Sequence, residues 1–182
     1  MKKSSFLKLF IVFVALLALG VSCQKIANLL SFQVNDSASF TLPAAGLAMG
    51  ALLTLPGVTV NSTSQSTYQS HNTSAQYVQN VTLDQLTLTT TNPSTQNFDF
   101  LKSVSIYIAT DAVGSNKVLL ASLSPVPTGQ TSISLNPAGN TLDMYLKASS
   151  YTLITQVELT QALKQNTDVR ADSRFNAHAS LP

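Results

Sequence analysis

Asp168-Val-Arg-Ala-Asp-Ser-Arg-Phe-Asn-Ala-His-Ala179 changes character at every residue. Val169, Ala171, Ser173, Phe175, Ala177 and Ala179 fall on one side, while Asp168, Arg170, Asp172, Arg174, Asn176 and His178 fall on the other. A period of two belongs to an extended strand, whose successive side chains point to opposite faces. The segment therefore predicts a strand with one face in a core and one in water. Its Asp and Arg side chains alternate in sign, which reads as a solvated face that neutralises itself and discourages edge-to-edge pairing. A face that docks another protein is the sharper alternative.

The same period recurs upstream. Tyr151, Leu153, Thr155, Val157 and Leu159 alternate with Thr152, Ile154, Gln156 and Glu158. Val104, Ile106 and Ile108 share a face opposite Ser103, Ser105 and Tyr107, and residues 117–123 pair with them through a turn at Asp111–Asn116 containing Gly114. Leu86 and Leu88 share a face in a Thr-rich run, Phe32 and Val34 start another run, and Phe40 and Leu42 end one before Pro43. Helical spacing is confined to Leu142, Tyr145 and Leu146 and to Ala162–Gln165. Seven or more short strands separated by turn dipeptides such as Asn92-Pro93 and Asn136-Pro137 predict an all-β fold. The expected architecture is an antiparallel β-sandwich, immunoglobulin-like with Greek-key connections, following an N-terminal signal helix.

Two stretches escape the alternation. Residues 43–56 are rich in Ala, Gly and Leu and read as an apolar crossover buried between the sheets or over one end, with an exposed docking patch as the alternative. Residues 61–77 are almost all Ser, Thr, Asn and Gln, and read as a long surface loop or a solvated edge hairpin.

Composition narrows function. Of 182 residues only 10% are charged, against about 25% in ordinary soluble proteins. Ser, Thr, Asn and Gln fill the gap with 23, 20, 12 and 12 copies. Such a surface has little field for nucleic acid, and no nucleic-acid partner is expected. His71 and His178 are the only histidines and Glu158 the only glutamate, and the seven Asp form no Asp-x-Asp-x-Asp-Gly loop. No metal and no cofactor are predicted. Without a Gly-x-Ser-x-Gly elbow or a comparable motif no catalytic residue is assigned, and an unrecognised hydrolase is kept only as a remote alternative.

The N-terminus carries the strongest functional signal. Lys2, Lys3 and Lys8 precede an apolar run from Leu9 to Leu19, and Gly20-Val-Ser-Cys23 closes the segment. A basic start, a short apolar stretch and small residues make a signal peptide over 1–22. The run is shorter than the ~20 residues needed to span a bilayer. Cys23 is the only cysteine, so no intramolecular disulfide is possible. Removing residues 1–22 takes away Lys2, Lys3 and Lys8, leaving seven basic side chains against eight acidic ones. The basic balance therefore belongs to the precursor.

Leu17-Ala-Leu-Gly-Val-Ser-Cys23 resembles the lipoprotein precursors of bacteria of the Bacteroidota type, with Gly20 standing where Leu is usual. That resemblance implies acylation of Cys23 and attachment to the outer membrane through its acyl chains. Residues 23–30 then form a lipidated tether and 31–182 a single β-sandwich domain. The tether lacks a run of acidic residues, which favours the periplasmic face over the cell surface. Val81–Leu88, Phe98–Ile108 and Asp168–Ala179 resemble segments of a group of small envelope β-sandwich lipoproteins, which implies the same fold and location but no activity.

The function expected is a non-enzymatic binding or structural module of the envelope, with an envelope protein or glycan as partner. The main alternative is a surface-exposed glycan-binding or adhesion module contacting ligand through Tyr68 and Tyr77, with Tyr107 a further candidate for stacking on a sugar. Asp36-Ser37-Ala38 matches a short pattern at which some envelope proteins of the Bacteroidota type are O-glycosylated, making Ser37 a candidate.

Overall fold

The computed structural model describes residues 31–44 and 49–180. The residues expected to form the signal peptide, 1–22, and the lipidated tether, 23–30 with Cys23, lie outside the described residues. Nine strands appear in chain order: β1 (Ser31–Leu42), β2 (Leu52–Thr54), β3 (Val58–Asn61), β4 (Val78–Asn92), β5 (Leu101–Ala109), β6 (Val118–Leu123), β7 (Ser132–Pro137), β8 (Ser150–Leu159) and β9 (Thr167–Ala179). Two short helices join them, α1 (Ser64–Ser70) and α2 (Asp143–Leu146). The strand order is β1-β9-β4-β7-β6-β5-β8-β2, with β3 also on β8, and every pairing is antiparallel.

The expected all-β antiparallel sandwich is what the chain forms. β5, β6 and β7 follow one another as hairpins, and β4 returns beside β7, which is a Greek key. β7 pairs with β4 through Leu86↔Leu135 and with β6 through Ala121↔Pro137, so the two layers are halves of one curled sheet. Their inner faces meet in a core containing Leu86, Leu88, Ile106, Ile108, Leu120 and Phe175. Tyr151 on β8 packs edge-on against Phe175 on β9, with ring centroids 6.1 Å apart, and so joins the layers. Each such side chain taken from water contributes about 1.5–3 kcal/mol.

The alternating face read in 168–179 is buried at every odd residue from Val169 to Ala179. Phe32–Val34 and Phe40–Leu42 are two ends of a single strand, β1. They read as separate runs because Asp36 occupies the inner face between them. In β8, Thr152 and Ile154 on the outer face are buried as well. A Cβ on Gly57 would stand 2.7 Å from Thr152 Cγ2, and one on Gly114 2.6 Å from Ile154 Cδ1. The loops carrying those glycines thus lie directly on β8.

Three expectations are corrected. Residues 61–77 are neither loop nor hairpin throughout, since Ser64–Ser70 form α1. One buried aromatic, Tyr68, fixes that helix against Phe32 at 5.7 Å between centroids. The 43–56 segment is not a buried crossover. Its described residues supply β2 to the β8 edge and bury Leu55, while Met49 and Leu52 are 64% and 65% exposed. Ala162–Gln165 forms no helix, and Leu163 alone turns into the core. The helical turn at α2 is as expected, with Tyr145 and Leu146 buried.

Candidate functional site

Among the described residues β1 is an edge strand that pairs only with β9, and the curl brings β3 toward it. Where the two meet, side chains replace the missing ladder. Asp36 accepts hydrogen bonds from Ser62 Oγ at 2.8 Å, Thr63 N at 2.7 Å and the Tyr151 hydroxyl at 3.1 Å. Thr63 Oγ1 donates to Asn35 O at 2.9 Å. Burial and the Asp36 carboxylate hold the Tyr151 phenol far above its usual range. A carboxylate facing a core is tolerable only with partners of this number.

This seam forms one wall of an open cleft of about 530 Å³. The floor is the outer face of β1, β9 and β4, and the register lays it out as two rows of three. Asn35, Arg174 and Gln85 are neighbours in one row, and Ser37, Asp172 and Thr87 in the next. Asn61 and Thr63 rise at the β1 side. Strands stand about 4.8 Å apart, and same-face residues about 7 Å apart along each strand.

A register shift between Leu83 and Gln85 makes Asp84 an extra residue in β4. Bulges of this kind re-aim a side chain. Here the Asp84 carboxylate accepts from Arg174 Nε and, at 3.3 Å, from Asn176 Nδ2. Gln33 Nε2 donates to Asn176 Oδ1 at 3.0 Å, extending the network across all three strands. Arg170 Nε lies 2.8 Å from Asp172 Oδ2. The charged stripe of β9 is therefore a face whose charges are compensated by near neighbours.

Asp168 closes the far end of this face. Its carboxylate accepts from Thr41 Oγ1 at 2.7 Å and Asn92 Nδ2 at 3.2 Å, and these bonds hold it below the usual carboxylate range. At the near end, Ser31 Oγ lies 3.0 Å from His178 Nδ1. A Ser–His couple acts as a nucleophile when an acid orients the imidazole. Among the described residues no carboxylate is hydrogen-bonded to His178, and no group of three or more His, Cys, Asp or Glu gathers as metal ligands. His71 lies stacked on Phe32 at 4.7 Å, with Nδ1 2.9 Å from Thr67 O.

The tyrosines proposed as ligand contacts are not brought together. Tyr68 is fully buried, its hydroxyl donates to Leu146 O at 2.8 Å, and burial pushes its phenol up to about 12. It cannot touch a ligand in this fold, and that expectation is corrected. Tyr77 is half-buried and accepts through its carbonyl from Ser180 N at 2.8 Å. Tyr107 lies on β5 beneath Lys117, whose Nζ stands 5.0 Å from the ring centroid. Ser37 is exposed and lines the cleft, with the Asp36 side chain turned inward behind it. The Leu83–Leu86 spacing of three, like that of Val78 and Val81 before it, breaks the alternation of β4 and is the sequence signal for its bulges.

No family model matches the chain, and no curated relative matches it. Solved structures with related outlines include the decameric capsid protein of BFDV, at 6% identity over 83% of this chain and 98% of that one, TM-score 0.42. FLHE matches at 11% identity over 82% and 98%, TM-score 0.34, and a nora virus structure at 12% over 84% and 61%, TM-score 0.36.

Proposed function

We propose that the chain is a lipid-anchored, non-enzymatic binding module of the bacterial envelope, held to the outer membrane through Cys23 and facing the periplasm. The observation that carries the anchor is the position of the only cysteine. It ends the apolar leader and stands eight positions before Ser31, where β1 begins. Fully extended, that tether reaches at most roughly 29 Å, which keeps the sandwich at the membrane surface. Two or more acyl chains, at ~0.8 kcal/mol per buried CH₂, anchor stably where one does not. Among the described residues no helix is long and apolar enough to cross a membrane. The polar cleft supports binding rather than catalysis, since Arg174 and Asp172 are paired with Asp84 and Arg170, and Asp36 is held by three donors.

Cell fractionation tests the anchor. The wild-type chain is expected with the outer membrane and to incorporate a clickable fatty acid, while Cys23→Ser leaves the label out and moves to the soluble fraction. Unchanged labelling and membrane retention in Cys23→Ser would sink the proposal.

A further inference from the structure

We infer that the cleft on the outer face of β1, β9 and β4 binds a neutral saccharide, a reading that deepens the binding role proposed above. The argument starts with what the floor offers. The backbone groups of β9 are consumed by its ladders with β1 on one side and β4 on the other, so side chains do the recognising. Those side chains are amides, hydroxyls and two ion pairs. Asn35 and Gln85 flank Arg174, and Ser37 and Thr87 flank Asp172. Among the described residues the lining has no aliphatic or aromatic side chain. An apolar ligand or a hydrophobic peptide anchor would find nothing to bury against.

A polyol suits this floor. Each sugar hydroxyl both donates and accepts, and the grid offers both roles at about 5 by 7 Å, the scale of one ring with its substituents, with Gln85 Nε2 donating to Thr87 Oγ1 at 3.1 Å. The volume of about 530 Å³ accommodates a short oligosaccharide. Charge chooses among sugars. Arg170 and Arg174 are matched on this face by Asp172 and Asp84, so no surplus cation remains for a uronate, sulfate or phosphate. The bidentate planar groups of Arg174 and Asp172 are already fixed by these pairs, which lowers the ordering cost of binding.

The test uses the full chain purified in detergent micelles, applied to a printed array of neutral and acidic oligosaccharides and followed by calorimetric titration of the best neutral hit. Asn35→Ala/Gln85→Ala removes two exposed amides, and thermal melting verifies that this variant is folded. Saturable binding to neutral glycans, weakened about tenfold or more in the double variant with Tm unchanged, is the expected result. An array blank for neutral glycans, binding confined to acidic ones, or affinity unchanged in the folded variant would overturn the inference. Repeating the titration with Cys23→Ser separates the two proposals. Sugar binding there needs no anchor, so the anchor reading can fail while this one stands.

Discussion

Asp36 stands on the inner face of an edge strand, where an unpaired carboxylate would cost far more than the fold can spare. Three donors converge on it, from Ser62, Thr63 and Tyr151, and they come from two places that no ladder connects to β1, the segment after β3 and strand β8. The residue thus does the work that hydrogen bonds between strands do elsewhere in the sheet. Asp36→Ala leaves those donors unsatisfied and is expected to cost about 2–4 kcal/mol. Tyr151→Phe removes one of three bonds and keeps the ring against Phe175, so about 1 kcal/mol is expected. Urea denaturation of both variants measures this. Equal, small losses would mean that the seam is held by packing alone. Tyr68 shows a similar economy in α1, where one hydroxyl on Leu146 O and one ring against Phe32 position a helix too short to persist by itself.

At the scale of the element, Asp168 fastens the start of β9 to the ends of β1 and β4, and Asp111 fastens the β5–β6 turn through the N–H groups of Gly114 and Ser115. Both carboxylates are held below their usual 3.8, Asp168 by Thr41 and then Asn92, Asp111 by the N–H of Ser115 and then of Gly114. A depressed carboxylate contributes stability that is fully present above the unfolded value and is lost as pH falls through the folded one. Denaturation midpoints are therefore expected to hold down to about pH 4 and fall below it. In Asp168→Asn/Asp111→Asn that decline should be shallower, and an unchanged decline would refute the assignment. These strands were largely legible beforehand, because alternation in 104–108 and 168–179 reports a single buried face. Legibility stopped where burial depends on distant partners. Asp36 split β1 into two apparent runs, and loops resting on β8 buried both of its faces. Tyr68 looked like a surface residue because its neighbours are Ser, Thr and Gln, whereas its burial is decided by Phe32 and Leu146. The cleft was hidden for a related reason. Its grid exists only through the β1–β9–β4 register, and polar strand residues carry no mark of which neighbours they will meet.

For the whole molecule, the decisive fact is that the first and last strands lie side by side, Ser31 opposite His178, with Gln79 of β4 completing the row. A tether preceding Ser31 would therefore join the sandwich at the end where β9 finishes, and β1 runs about 35 Å from there to Leu42. Met49 and Leu52 lie toward that far end, since Leu52 pairs with Glu158 and Leu42 with Thr167. Nothing in the charge would pull the sandwich flat onto anionic lipid, because a chain cleaved before Cys23, as proposed, has only seven basic side chains against eight acidic ones. An upright attitude follows for a lipidated chain, with the far end pointing away from the bilayer. Energy transfer to an acceptor-labelled lipid measures it, using a dye on Gln79→Cys or on Met49→Cys in the acylated protein, where Cys23 offers no free thiol. Transfer is expected to be strong from position 79 and weak from position 49. Equal transfer would mean that the sandwich lies on its side, and stronger transfer from 49 would mean that the exposed Met49 and Leu52 dip into the membrane. The upright attitude leaves the β1–β9–β4 face standing perpendicular to the bilayer and open to the adjoining space, which is the geometry a saccharide-binding cleft on that face requires.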